Sequence, residues 1–155
     1  MVWASTRIKK NAAAAFDPET IENDEFVIQK PEGFLHNLNG DPKYLFEAYS
    51  KELSKVNDKF RIGTATITKI ENSTLDSVVS GILEADDSVD HGTEIIDEHR
   101  YRHLESRKNN DGVETEVSYK LAEKNGSVYK LEITATGDSS NDQWVEIFFD
   151  SFRVK

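Results

Sequence analysis

The chain has no cysteine, and it carries only 19 lysines and arginines against 29 aspartates and glutamates. The absence of cysteine excludes disulfides, thiol nucleophiles and thiolate metal sites. A net charge of −10 disfavours nucleic acid and anionic membrane surfaces, because both carry the same sign. A run of about 18 apolar residues, the length that spans a bilayer, is also missing. We therefore predict no nucleic-acid partner and, at most, peripheral contact with a membrane.

Length and composition predict one domain that follows a tail. A chain of 155 residues is long enough for a single hydrophobic core and short for two. Residues 1–21 contain few large apolar side chains, as is typical of a flexible tail. An alanine run at 12–15 lacks the preceding apolar segment that a signal-peptidase site needs. We predict a flexible tail over 1–21 and a single domain over 22–155.

Two early segments are predicted as strands, and the segment between them is open to two interpretations. Alternation at Phe26 and Ile28, and an Ile- and Thr-rich run over 60–70, are both typical of strands. An Asp-Pro pair at residue 41 can begin a helix whose apolar residues recur at four-residue spacing. A short strand over 44–49 is the alternative, because two bulky apolar residues are adjacent there. We predict the helix.

Two further helices are predicted by capping signals ahead of helical periodicity. Ser73-Thr-Leu-Asp76 precedes apolar residues at helical spacing, and Ser140-Asn-Asp-Gln143 precedes the aromatic run 144–149. Such an aromatic load is more typical of core packing than of a binding site. Residues 151–154 are then predicted to return to a strand.

Residues 95–136 have the pattern of a three-stranded antiparallel meander. Apolar and polar residues alternate over 113–121 and again over 127–136. Asn110-Asp-Gly112 and Asn125-Gly126 supply the turns on either side of the middle strand. The alternation over 113–121 predicts that one face of the sheet is buried and the other is in water.

The acidic segment 84–92 resembles a calcium loop in part, because acids recur there at alternate positions. However, His91 stands where such a loop requires glycine, and Asp97 where it requires glutamate. A solvated acidic loop is therefore the favoured interpretation. A single histidine close to Asp97 could still join a weak site. The candidate metal ligands are Asp86, Asp90, Asp97 and His99.

The stretch Glu98-His-Arg-Tyr-Arg-His103 places two of the four histidines four residues apart. Their imidazoles would lie about 6 Å apart along a helix axis but about 13 Å apart along a strand. Zinc needs its ligand nitrogens within roughly 2.1 Å, so the predicted strand does not let this pair share an ion. Arg100 and Arg102 then lie on the opposite face as an exposed basic strip, a candidate contact for an acidic partner.

The C-terminal half resembles the PsbP-like proteins. In that family an "NG.LY" hairpin, an alanine- and glycine-containing strand end, a tryptophan and a terminal "SF.V" strand follow one another. Their counterparts here are Asn125-Gly-Ser-Val-Tyr129, Ala135-Thr-Gly137, Trp144 and Ser151-Phe-Arg-Val154. The stretch from Phe26 to Phe34 is also similar to the family's early "F.YP.GW" motif.

This resemblance implies an α+β, Mog1/PsbP-like fold: an α/β/α sandwich whose central antiparallel sheet has helices on both faces. It also implies a non-enzymatic accessory role on photosystem II, supporting the oxygen-evolving complex in the thylakoid lumen. The associated ions would be calcium or manganese. The alternative with the same fold is a secreted bacterial or Mog1-like protein-binding domain, in the periplasm or at the cell surface.

An enzyme is the third functional class. The sequence offers no Ser-His-Asp motif and no glycine-rich phosphate loop, so we predict no catalytic activity. A pocket that brings two or more of the four histidines within reach of a carboxylate and a nucleophile would favour the enzyme.

Metal titration tests the interpretation of the two histidines. If His99 and His103 lie on one strand, we expect no stoichiometric, submicromolar zinc or manganese site that depends on both. Calorimetric titration of the wild type and of the His99→Ala, His103→Ala double variant provides the measurement. A tight site that disappears only when both imidazoles are removed would contradict the strand.

Overall fold

The computed structural model describes residues 14–85 and 87–155, and these residues form two antiparallel sheets and two helices. The helices are α1 (Leu75–Ala85) and α2 (Gln143–Ser151). The strands are β1 (Glu19–Glu22), β2 (Phe26–Lys30), β3 (Phe34–His36), β4 (Tyr44–Ser50), β5 (Gly63–Ile70), β6 (Ser88–Ile96), β7 (His99–Asn110), β8 (Val113–Lys124), β9 (Ser127–Thr136) and β10 (Arg153–Val154). None of the described helices is long and apolar enough to cross a membrane.

The larger sheet has seven strands in the order β3-β4-β5-β9-β8-β7-β6, and the smaller has the order β1-β2-β10. Residues of α1 pack on one face of the larger sheet, where Leu75 and Val79 meet Leu104, Val117 and Leu121. The helix α2 and the smaller sheet pack on the other face. The predicted α+β fold, with a central antiparallel sheet and helices on both faces, is therefore confirmed.

The four strands β6 to β9 form a meander because each turn is a pair of residues with left-handed backbone. The pairs are Asp97-Glu98 (φ 50° and 71°), Asp111-Gly112 (52° and 82°) and Asn125-Gly126 (51° and 75°). Two positive φ angles in a two-residue turn match the right-handed twist of the flanking strands. The predicted three-stranded meander is confirmed, and β6 extends it to four strands. The first predicted strand was expected to begin at Ile95, but the turn at Asp97-Glu98 interrupts it, so β7 begins at His99.

The helix predicted after residue 41 is wrong, and the alternative strand is confirmed as β4. Phe46 and Ala48 are buried while Leu45 is 38% exposed, so burial follows a period of two. Adjacent bulky residues fit a strand because they point to opposite faces of the sheet. A bulge between Tyr44 and Phe46 adjusts the pairing of β4 with β5.

Both predicted capping boxes are displaced, although the helices that follow them are present. In α1 the cap is Thr74, whose hydroxyl accepts a hydrogen bond from the Ser77 amide at 3.2 Å. In α2 the N-cap is Asp142, while the Ser140 hydroxyl donates to the Gly137 carbonyl at 3.5 Å. A capping motif thus located the start of each helix to within one or two residues.

The folded part of the chain begins before Glu22, the predicted start of the domain. Glu19–Glu22 pairs with β2 as strand β1. The buried ammonium of Lys30 donates to the carbonyls of Ala15, Asp17 and Phe34 at 3.2, 2.5 and 2.6 Å. These bonds join the preceding segment to the domain. Residues 1–13 of the predicted tail, with part of the alanine run, lie outside the described residues.

The expected wet face of β8 is confirmed at Glu114, which is exposed, but it is wrong further along the strand, where α2 covers it. Lys120 and Ala122 lie on that face and are 2% and 0% exposed. The Lys120 ammonium donates to the carbonyls of Phe149 at 2.7 Å and Phe152 at 3.0 Å, at the end of α2. It also lies 5.1 Å from the ring centre of Tyr101. Burial lowers the pKa of Lys120 from 10.5 to about 8.

The pH dependence of stability tests the buried charge of Lys120. Because its pKa is lower in the folded chain than in the unfolded chain, the unfolded chain binds more protons between pH 8 and 10.5. This group should therefore raise the free energy of unfolding as pH increases through that window, by up to about 3 kcal/mol. Urea denaturation between pH 7 and pH 10 should show the rise in the wild type and a smaller rise in Lys120→Met.

Lys59→Met is the control, because Lys59 is an exposed residue outside the core. Its pH dependence should follow that of the wild type. If the free energy of unfolding rises with pH equally in Lys120→Met and Lys59→Met, the burial of a charged ammonium at position 120 is contradicted.

Candidate functional site

A cleft of about 360 Å³ lies between α2 and the adjacent face of β6, β7 and β8, and we call it the α2 cleft. Its walls combine apolar side chains from the helix, Val145 and Phe149, with charged and polar groups from both sides. No lysine or arginine from the described ranges lines it. Five carboxylates do so, and these are Glu105, Glu116, Asp142, Glu146 and Asp150.

The acidic side of the cleft follows from helical and strand periodicity. Asp142, Glu146 and Asp150 recur every four residues, which places them on one face of α2 and its cap. Glu105 of β7 and Glu116 of β8 reach the cleft because their strands are neighbours. We did not single out any of these five from the sequence. The four-residue repeat was the available signal for the helical three, whereas the other two become neighbours only through the fold.

His103 is the more buried of the two imidazoles in the cleft. Its ring packs edge-on against Phe149, with ring centres 4.7 Å apart and planes at 83°. Its Nε2 is buried without a hydrogen bond and lies 3.5 Å from a carboxylate oxygen of Glu94. Burial lowers the pKa of His103 below its ordinary value of 6.5, and the Lys120 charge acts in the same direction while Glu94 opposes it.

His91 reaches the cleft because β6 contains a bulge. The register with β7 shifts between Asp90 and Gly92, and Gly92 has φ +93°. An extra residue in a bulge re-aims its side chain, and glycine tolerates the left-handed backbone. The His91 Nε2 lies 3.0 Å from a carboxylate oxygen of Glu105. Gly92 was the sequence signal for this bulge.

The predicted basic strip on β7 is reduced to one exposed residue. The Arg102 side chain pairs with Asp90, with Nε donating to Oδ1 at 3.0 Å, and lies 3.9 Å from Asp76 of α1. Arg102 also lowers the pKa of Asp90 to about 2. The expectation of an exposed Arg102 is therefore wrong, because β6 and α1 bring carboxylates beside it. Arg100 is exposed, and its contact with a partner stays a prediction.

The three predicted metal ligands that the structure describes do not come together as an ion site. Asp90 is occupied by Arg102, Asp97 lies in the β6–β7 turn, and His99 begins β7. Asp86 lies outside the described residues, and the predicted acidic loop is largely the strand β6. Within 14–85 and 87–155, no three histidine, aspartate or glutamate side chains form a cluster that could hold an ion.

The stretch around His99 and His103 lies in β7 from His99 onward, as predicted. Tyr101, between the two histidines, is fully buried, and its hydroxyl accepts a hydrogen bond from the Val154 amide at 3.0 Å. This tyrosine therefore ties β7 to β10.

The cleft also satisfies part of the condition set for an enzyme. Two imidazoles lie near carboxylates, and Ser118 and Ser140 are among the lining residues. Across the described ranges, however, neither imidazole is hydrogen-bonded to a serine hydroxyl. The residues thus offer two groups that can take up protons and no activated nucleophile.

Comparison with known proteins finds similar solved structures. No family model matches the chain, and no curated protein matches it. Cyanobacterial PsbP (CyanoP) from Synechocystis has a TM-score of 0.56 and 14% identity, over 92% of this chain and 94% of that one. LpqN of Mycobacterium tuberculosis, involved in cell envelope biogenesis, has a TM-score of 0.60 and 9% identity, over 90% of this chain and 91% of that one.

A Bacteroides thetaiotaomicron protein has a TM-score of 0.57 and 10% identity, and 84% of this chain covers 45% of it. This chain therefore spans less than half of that protein. Together the three structures show that the chain has a PsbP-like fold, which confirms the fold implied by the sequence resemblance. At such low identity the likeness is one of fold and not of activity.

The titration of His103 tests its environment in the cleft. We expect the pKa of the His103 imidazole to be lower in the folded protein than in the urea-unfolded chain, because burial disfavours the charged form. Glu94→Gln should lower the pKa further, since a favourable negative charge is lost. Proton NMR of the imidazole resonances gives both values. Glu98→Gln, in the adjoining turn, is the matched control, and an equal effect of both substitutions would contradict the assigned contact.

Proposed function

We propose that this protein is a non-catalytic accessory domain that binds another protein, and that the α2 cleft receives a basic segment of that partner. One observation carries the proposal: among the residues that the structure describes, five carboxylates and no lysine or arginine line a cleft with apolar patches. Cationic side chains of a partner would gain electrostatic attraction there, and their methylene stems would pack on Phe149 and Val145.

The setting that we propose is outside the cytoplasm, following the resemblance to PsbP-like proteins. In the thylakoid lumen the partner would be a photosystem II subunit, with calcium or manganese held by the complex. In a bacterial cell envelope or at the cell surface it would be a different assembly, and the likeness to LpqN supports this alternative. Because CyanoP and LpqN each match about nine-tenths of the chain, the fold favours neither setting.

Acid–base catalysis in the same cleft is a second candidate function. It is favoured by the two imidazole–carboxylate pairs, His91 with Glu105 and His103 with Glu94. A histidine near a carboxylate can act as a general base when a substrate supplies the proton. Hydrolysis of model esters or phosphoesters that disappears in the His103→Ala variant would favour catalysis over simple binding.

Charge reversal in the cleft tests the binding function. Glu146 and Asp150 are exposed on α2, so Glu146→Lys, Asp150→Lys should fold normally and repel a basic segment. We expect the affinity-tagged full chain, purified from its own organism, to retain a partner at low salt and to lose it in this variant. Quantitative mass spectrometry of the retained proteins is the measurement.

The matched control is Glu71→Lys, Glu84→Lys, which changes the net charge equally at exposed positions outside the cleft. This control should retain the partner. Equal retention by both variants, or loss in both, would show that the cleft does not determine binding.

A further inference from the structure

The strand β6 forms one edge of the seven-stranded sheet. It is nine residues long, and within the described residues its outer side pairs with no other strand. Such an edge presents a row of unpaired backbone donors and acceptors that can pair with another chain. The edge also adjoins the α2 cleft, because His91 belongs to both.

The turn geometry identifies which backbone groups point outward. In a two-residue hairpin turn of the Asp97-Glu98 type, the flanking pair Ile96–His99 is hydrogen-bonded. Hydrogen-bonded and non-hydrogen-bonded pairs then alternate along an antiparallel ladder. The pairs of Thr93 with Arg102 and of Ile95 with Arg100 are therefore not hydrogen-bonded to each other. The N–H and C=O groups of Thr93 and Ile95 thus face the open side.

Two apolar side chains on this edge are also exposed. Val89 is 60% exposed and Ile95 is 71% exposed. The bulge at His91 divides the edge and leaves residues 92–96 as its longest regular part. Native edges are often protected by lysine, by proline or by short length, and residues 92–96 contain neither lysine nor proline.

The charge on the edge selects the partner. Residues 88–98 contain four acids and no lysine or arginine. Asp90 is already paired with Arg102, whereas the carboxylate side chain of Glu94 is 56% exposed. A second copy would bring another chain of net charge −10 against this acidic edge, so self-pairing is disfavoured. A basic strand would instead be attracted.

We propose that β6 accepts an extended, lysine- or arginine-rich segment of a partner protein as an eighth strand of the sheet. This inference rests on the proposed binding function and names the form of the bound segment. An added strand lies about 4.8 Å from β6. Its cations on the α2 side would meet Glu94 first and Glu105 of β7 next, while its backbone pairs with Thr93 and Ile95.

A defined peptide probe tests strand addition. The probe is a soluble peptide of alternating lysine and valine, added to the isotopically labelled full chain. We expect slowed hydrogen exchange at the amides of Thr93 and Ile95, together with calorimetric binding. The same peptide with alternate backbone nitrogens methylated keeps its charge and cannot complete the ladder. The methylated peptide should bind about tenfold more weakly than the unmethylated one, because roughly two backbone hydrogen bonds to β6 are lost.

Thr93→Pro provides the reciprocal test on the protein. Proline removes an outward N–H and is tolerated on an edge strand, so the fold should persist and the binding should weaken by a similar factor. Glutamate in place of lysine in the peptide should abolish binding, and amide exchange in Thr93→Pro by NMR checks that β6 remains paired with β7.

Three outcomes would overturn strand addition. Methylation without effect would mean that the peptide binds by charge alone, and the proposed cleft function would then stand without strand addition. Absence of binding to the basic peptide would also overturn it, while the retention experiment on Glu146 and Asp150 decides the proposed function separately. Concentration-dependent protection of Thr93 and Ile95 without peptide would identify a second copy as the occupant.

Discussion

The buried ammonium of Lys120 is the contact on which the position of α2 depends. The last carbonyls of a helix have no partners within it, and no basic residue lies in the final turn of α2. Lys120, on the sheet beneath, supplies the missing donors to Phe149 and Phe152. Because Phe152 directly precedes β10, the same charge also sets where the chain enters the smaller sheet. One wall of the cleft is therefore positioned by a residue that does not line it.

Lys30 fulfils a similar role at the other end of the domain, where it binds three carbonyls around β1 and β3. The alternation of β8 places Lys120 where a polar, solvated residue is expected, whereas Lys30 shares the buried face of β2 with Phe26 and Ile28. A lysine can remain buried when backbone carbonyls satisfy its donors and its stem packs against apolar groups. The carbonyls that bind Lys120 lie 29 and 32 positions away, so the alternation in β8 predicted the strand correctly and the exposure of Lys120 incorrectly.

Local sequence signals predicted most of the helices and strands. They did not predict the cleft, because its residues come together only in the folded chain. The turns at Asp111 and Asn125 and the apolar spacing of α1 depend on neighbouring residues, which a sequence displays directly. Glu116 and Glu146 become neighbours only when α2 packs on the sheet. His91 turns into the cleft only because Gly92 permits a bulge. Arg102 forms an ion pair with Asp90, and this contact also requires the fold, because the pairing of β6 with β7 brings together residues twelve positions apart.

The smaller sheet joins the first and last described strands, and this arrangement has a consequence for the order of folding. The meander β6 to β9 is closed by two-residue turns, so its contacts are local and we expect them to form rapidly. Pairing of β10 with β2 instead joins residues more than a hundred positions apart and carries a larger loop-closure cost. We expect α2 to dock late, when β10 completes this pairing. During synthesis on the ribosome, the sheet can therefore exist before its acidic cleft does.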